Sequence, residues 1–131
     1  MTTIQGSFEV KATAEPPHDI VEGVAIGRMF FDKKFSGPLT ATSRVEMLSA
    51  RGTIPNSAGY VAIERITGTV DGRSGTFVVL HLGLMNRGAP SLDITVVPDS
   101  GTGELAGIRG SMRIDIKEAK HFYTLDYELA G

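Results

Sequence analysis

The chain has 131 residues, of which 41% are hydrophobic and 21% charged, with 13 Lys and Arg against 15 Asp and Glu for a formal net charge of -2. That size and balance describe one globular domain over residues 1–131 and exclude a disordered chain; with no basic block or stripe, nucleic acid and anionic membrane are not expected partners. Cysteine is absent, which removes disulfides, thiolate metal sites and a cysteine nucleophile together.

The opening MTTIQGSFEV carries no cationic n-region, apolar h-region or small-residue cleavage site, so a cytoplasmic, bacterial-type location is expected. No apolar stretch approaches the ~18 residues of a membrane span. Runs rich in Val, Ile, Thr, Phe and Tyr alternate with Gly, Pro, Asp and Asn, the punctuation of an all-β domain. Strands are expected at Thr3–Thr13, Gly23–Phe35, Pro38–Ala50, Gly59–Val70, Gly75–Met85, Leu92–Val97, Ile108–Lys117 and Phe122–Leu129, with a short helical turn around Gly103–Ala106. Pro16–Asp19, which contains His18, reads as the loop between the first two strands. No segment keeps a helical period for the ~10–12 residues a rival helix needs.

Short connections favour antiparallel neighbours and an up-and-down meander. Eight such strands closed into a flattened antiparallel barrel leave no exposed edge; a sandwich is the structural alternative. The clearest hairpin is Asp71-Gly72-Arg73-Ser74, and a two-residue loop at Gly72-Arg73 makes paired residue numbers sum to 145, setting Glu64 opposite His81, Ile66 opposite Val79 and Gly68 opposite Phe77. The run Phe77–Leu82 is apolar on both alternating faces and expects two covers, the interior on one side and an oligomer interface or second layer on the other.

Ser100–Met112, SGTGELAGIRGSM, is the stretch least like generic β-sequence. Its glycines come near a dinucleotide fingerprint, but that motif needs a helix after it inside a βαβ unit, and here strand lies on both sides. Glycines for tight turns and close strand approach account for it better. VVPDSGTGELAGIRGSM, with GYVAIERITGTVDGRSGTFVVLHLG from Gly59 and YTLDYEL from Tyr123, resembles a bacterial domain family of unassigned function grouped with allene-oxide-cyclase-like barrels. Allene oxide cyclases and dirigent proteins carry a similar glycine-rich turn. The resemblance implies a flattened eight-stranded antiparallel barrel and transfers no catalytic residue. Asp99 and Ile94 stand where the resemblance leads one to expect a Gly and an aromatic residue.

Chemistry is expected on the strands instead. Glu64 and His81 share a face with apolar neighbours, an arrangement suited either to proton transfer in a pocket or to a structural pair that satisfies two costly polar groups. Glu46 is also flanked by apolar residues and admits two placements, inward beside Glu64 or in solvent; Arg44 shares its face and is a candidate neutraliser or ligand contact. Tyr60, Phe77 and Val79 are candidate pocket walls on the Glu64 face, and Tyr127 is a candidate hydrogen-bond donor on the last strand, although tyrosines there commonly serve as amphipathic wall. His18, His81 and His121 are scattered, so no metal is expected, and nothing calls for a cofactor. Gly72-Arg73-Ser74-Gly75 lacks the spacing and context of a hydrolase elbow. The leading expectation is a barrel that binds a small apolar or aromatic molecule, with a cyclase or isomerase activity as its enzymatic form. The competing one is a non-enzymatic structural or interaction domain whose interior is filled by its own side chains.

Overall fold

The computed structural model describes residues 1–129. Nine strands form in chain order, β1 (Thr2–Ala14), β2 (Asp19–Val21), β3 (Val24–Ser36), β4 (Leu39–Arg51), β5 (Ala58–Val70), β6 (Arg73–Asn86), β7 (Ala89–Val96), β8 (Arg109–Lys117) and β9 (Lys120–Glu128). All pairings are antiparallel, in the order β1-β9-β8-β7-β6-β5-β4-β3, and β1 also pairs with β3, which closes an eight-stranded barrel. The expected up-and-down barrel is therefore the observed fold. The short strand β2 is additional: it pairs with Val24–Ile26 of β3 beyond the point where β1 stops, and takes part of the segment expected to be loop.

Turn chemistry explains the meander. Four hairpins have two-residue loops, at Glu22-Gly23, Asp71-Gly72, Arg87-Gly88 and Glu118-Ala119, and all eight residues have positive φ. That signature belongs to type I′ turns, whose twist matches that of the flanking strands. Asp71-Gly72 thus forms the β5–β6 loop, not Gly72-Arg73, and Val70 pairs with Arg73. Paired numbers sum to 143, as Val70 plus Arg73, rather than 145, so Glu64 faces Val79 and Ala62 faces His81. The shift is two units in the sum, and the inward face keeps its residues. Glu118-Ala119 makes the same turn without glycine, with φ of 51° and 65°. Ala119→Gly is expected to stabilise the protein by up to about 1 kcal/mol, read as a raised denaturant midpoint at unchanged slope, because the left-handed region costs a Cβ-bearing residue about that much.

Period-two alternation sends Leu39, Ala41, Ser43 and Val45 inward on β4, Ala62, Glu64 and Ile66 on β5, and Phe77, Val79 and His81 on β6. The apolar core lies towards one end of the barrel and includes Phe35, Leu39, Ile66, Phe77, Tyr123 and Leu125. Tyr123 latches the β3–β4 connection: its hydroxyl accepts from the Leu39 N–H at 3.0 Å and donates to the Ser36 carbonyl at 3.1 Å. A Cβ at Gly6 would lie 2.3 Å from that carbonyl oxygen and 2.5 Å from the tyrosine oxygen, so glycine is required there.

The glycine-rich run closes the same end. β7 and β8 share only two registered pairs, and the chain between them folds against β6, with the Val97 N–H donating to the Val78 carbonyl and the Thr102 N–H to that of Thr76. A single 3-10 turn, Gly103–Leu105, follows, and Leu105 and Ile108 enter the core. Asp99 holds φ of 60°, the left-handed conformation in which a glycine was expected. On the outer face of β6, Val78 is half-buried next to this segment, whereas Leu80 and Leu82 are exposed.

Candidate functional site

Glu64 lies fully buried at the middle of β5 and gathers three partners from three other strands. His81 on β6 stands diagonally across from it, and its Nε2 lies 2.8 Å from Oε1; Lys33 on β3 brings Nζ to 3.3 Å from the same oxygen; Ser43 on β4 donates its hydroxyl to Oε2 at 2.5 Å. The convergence follows from register: Lys33 and Ser43 share one inward row with Ile66, Glu64 lies in the next row with Val45 and Val79, and His81 in the row beyond, so the group runs diagonally across four strands. Lys33, Ser43 and His81 are themselves no more than 9% exposed.

Burial pushes the Glu64 carboxyl up, but the hydrogen bond from His81, the Lys33 ammonium and the Ser43 hydroxyl together outweigh it and hold the group below the usual carboxylate range. Glu64 is thus an anion inside the barrel, and no buried side-chain nitrogen or oxygen among the described residues lacks a partner. Because the carboxylate engages Nε2, it orients the imidazole and leaves Nδ1 as the nitrogen for any further proton transfer. Lys33 also lies over the Phe8 ring, 4.9 Å from its centroid, and Phe8 packs at 5.2 Å against His121. A chain of contacts therefore runs His121, Phe8, Lys33, Glu64, His81.

Glu64 and His81 meet as expected, through the diagonal rather than the directly opposite position. Val79 is the residue directly opposite Glu64, and Phe77 is two positions further into the apolar core, both fully buried. Tyr60 shares the inward face, half-buried, its ring filling the space beside Gly83, where a Cβ would come within 2.2 Å of it. Burial pushes its phenol up.

Three expected residues lie elsewhere. Glu46 and Arg44 are exposed on the outer face of β4, since Val45 between them takes the inward position. Arg44 lies over the outward ring of Phe30 at 5.3 Å, and the counter-ion of Glu64 is Lys33 instead. Tyr127 is at the closed end, its hydroxyl bonded to Asp71 of the β5–β6 turn, about 20 Å along the strand from Glu64. Burial and then the Asp71 carboxylate push its phenol up. Lys33 and Ser43 are the members that sequence reasoning missed. The signal was available as period two: Lys33 alternates with Phe35, and Ser43 sits between Ala41 and Val45.

Of the two arrangements expected for Glu64 and His81, a pair in a pocket or a structural pair, the sealed geometry matches the second, with Glu64 0% and His81 4% exposed. The surface grooves reach the pair's neighbours. One of about 480 Å³ is lined by Lys33, Ser43, Arg44 and Arg65 among others; another, of about 630 Å³ at the β1–β9 seam, is lined by Ser7, Phe8, Val10, Lys120 and His121 among others. Among the described residues no group of three or more His, Cys, Asp or Glu is placed to hold a metal ion, and no helix is long and apolar enough to cross a membrane.

Similar proteins give the barrel a family but no reaction. Among curated proteins no match is found. A crystal structure of a protein with unknown function from the DUF3224 family of Shewanella oneidensis MR-1 is 45% identical, with a TM-score of 0.94 over 100% of this chain and 99% of that one. Residues 4–127 match the family described as "Protein of unknown function (DUF3224)", and a match over that much of the barrel shows that the chain belongs to the DUF3224 family.

Proposed function

We propose that the protein is a small-molecule-binding barrel that takes an apolar or aromatic molecule at the β1–β9 seam. The observation that carries this reading is the groove of about 630 Å³ lined by Phe8, Val10 and His121, with the Lys33 ammonium on the Phe8 ring. Its volume lies in the range of ligand sites, and Phe8, Val10, Ala119 and Phe122 give it an apolar wall beside the polar Ser7, Glu9, Ser36, Lys120 and His121. The inward side chains Val10, Phe31, Met47, Tyr60 and Ile114 remain only partly buried, so apolar surface is still available at this level of the barrel.

The enzymatic form of the proposal is a cyclisation or isomerisation of that molecule, in keeping with the resemblance to allene-oxide-cyclase-like barrels. Within the groove the imidazole of His121 is the group placed to move a proton, since Glu64 and His81 are sealed from it. A thermal-shift screen of apolar and aromatic compounds tests both forms. A binder is expected to raise the melting temperature of the wild type, and the shift should fall sharply in Phe8→Ala. Product formation by the wild type and its loss in His121→Gln, with the binding shift retained, would support the catalytic role. No shift from any compound would return the barrel to a purely structural role.

A further inference from the structure

The outer face of β4, β5 and β6 carries an apolar surface unrelated to the seam. Leu48, Val61, Ile63, Leu80, Leu82 and Leu84 point outward and are 43% to 59% exposed. Register makes them one patch: Leu48 pairs with Val61 and Val61 with Leu82, while Ile63 pairs with Leu80 in the next outward row. Neither β5 nor β6 contributes a charge to these rows. Exposed aliphatic clusters of this kind mark contact surfaces in soluble proteins.

From this face we infer that the protein forms a two-fold dimer in which a second copy packs its own β4–β6 face against the first. Three observations select a second copy as the occupant. The barrel is closed, so the strands of the patch have no free edge to offer a partner strand, and contact has to be face to face. Six half-exposed aliphatic side chains amount to roughly 500 Å² per copy, so two copies bury about 1,000 Å² from these alone, the size at which a specific interface begins.

The third observation is charge. The groove on this face, of about 390 Å³, is lined by Leu48, Val61, Ile63 and Leu80, and it carries both Arg28 and Glu46. Arg28 pairs with Leu48 on the neighbouring strand, and Glu46 with Ile63, one outward row apart. A two-fold axis in the plane of contact, perpendicular to the strands and between these rows, sets Val61 on Ile63 of the second copy and Leu80 on its Leu82. The same operation brings each Arg28 beside Glu46 of the other copy. Among the described residues the ion-pair partner of Arg28 is the exposed Glu15, at 3.5 Å, a contact of little worth in solvent. The surface is thus complementary to itself, the requirement of a closed two-fold contact.

Analytical ultracentrifugation of the full chain at micromolar concentrations tests the inference. The wild type is expected at twice the monomer mass. Ile63→Asp, at the centre of the patch and outside the core, should weaken the dimer about thirtyfold or more with an unchanged circular dichroism spectrum. Arg28→Glu and Glu46→Arg should each weaken it about tenfold, and the double variant should recover most of the loss. A monomeric wild type throughout overturns the inference and leaves the face to a different protein. A dimer indifferent to Ile63→Asp overturns the choice of face, and a double variant weaker than both singles overturns the axis.

Discussion

Replacing Glu64 by Gln is expected to cost about 3–5 kcal/mol at neutral pH, because it leaves the Lys33 ammonium inside the barrel without its carboxylate. The amide still hydrogen-bonds its neighbours, so shape is retained and the loss reports charge. Adding Lys33→Met, which removes the stranded cation, is expected to restore a large part of the stability. Dependence on pH supplies a second signature. The folded-state pKa of Glu64 lies below its unfolded value, so its contribution is complete above the ordinary carboxylate pKa of about 4.3 and disappears as pH falls through the depressed value. Urea denaturation from neutral to acid pH should show the wild type losing stability more steeply than Glu64→Gln in that window. Equal slopes would mean that Glu64 does not carry the charge assigned to it.

The second large effect lies in the glycine-rich run. A Cβ at Gly101 would sit 1.9 Å from the carbonyl oxygen of Leu105 and 3.0 Å from a methyl of Ile108. The first of these is backbone and cannot rotate away, and Leu105 and Ile108 are the two residues that seal the core at this end. Gly101→Ala is therefore expected to cost about 3 kcal/mol or more, the upper part of the overpacking range. Gly107 gives the comparison: nothing lies near its added Cβ, and only its φ of 84° opposes a side chain, so Gly107→Ala should cost about 1–2 kcal/mol. Denaturant midpoints of the two variants check the order. A Gly107 variant weaker than the Gly101 variant would mean that turn conformation, not crowding around the plug, governs this segment.

Much of the barrel was legible because its determinants are local. Alternation of apolar and polar residues located eight strands, and in β5 it placed Tyr60, Glu64 and Ile66 on one face. The β5–β6 register was legible as well and was misread: Asp-Gly is the pair that accepts two positive φ angles, and taking Gly72-Arg73 as the loop moved the pairing by two residues. The inward face survived that slip because a shift of two preserves parity. β2 escaped notice because three residues are too few to establish a period, and it exists only where β3 extends past the end of β1.

The site divides along the same physical line. That Glu64 and His81 share a face follows from two strands and one turn, all within twenty-odd residues of sequence. The placement of Glu46 outside and Ser43 inside depends on the phase of β4, and the arrival of Lys33 depends on β3 pairing with β4. The loop from β4 to β5 is longer than a two-residue turn and leaves the β4–β5 register unset in advance. Lys33 is in turn covered by Phe8 of β1, a contact that exists only once β1 has met both β3 and β9. Alternation and turn preference act over a few residues, so the chain itself dictated the strands, their faces and the barrel class. Closure and inter-strand packing bring together side chains far apart in sequence, so only the folded barrel could make Glu64 a buried anion with Lys33, Ser43 and His81 around it.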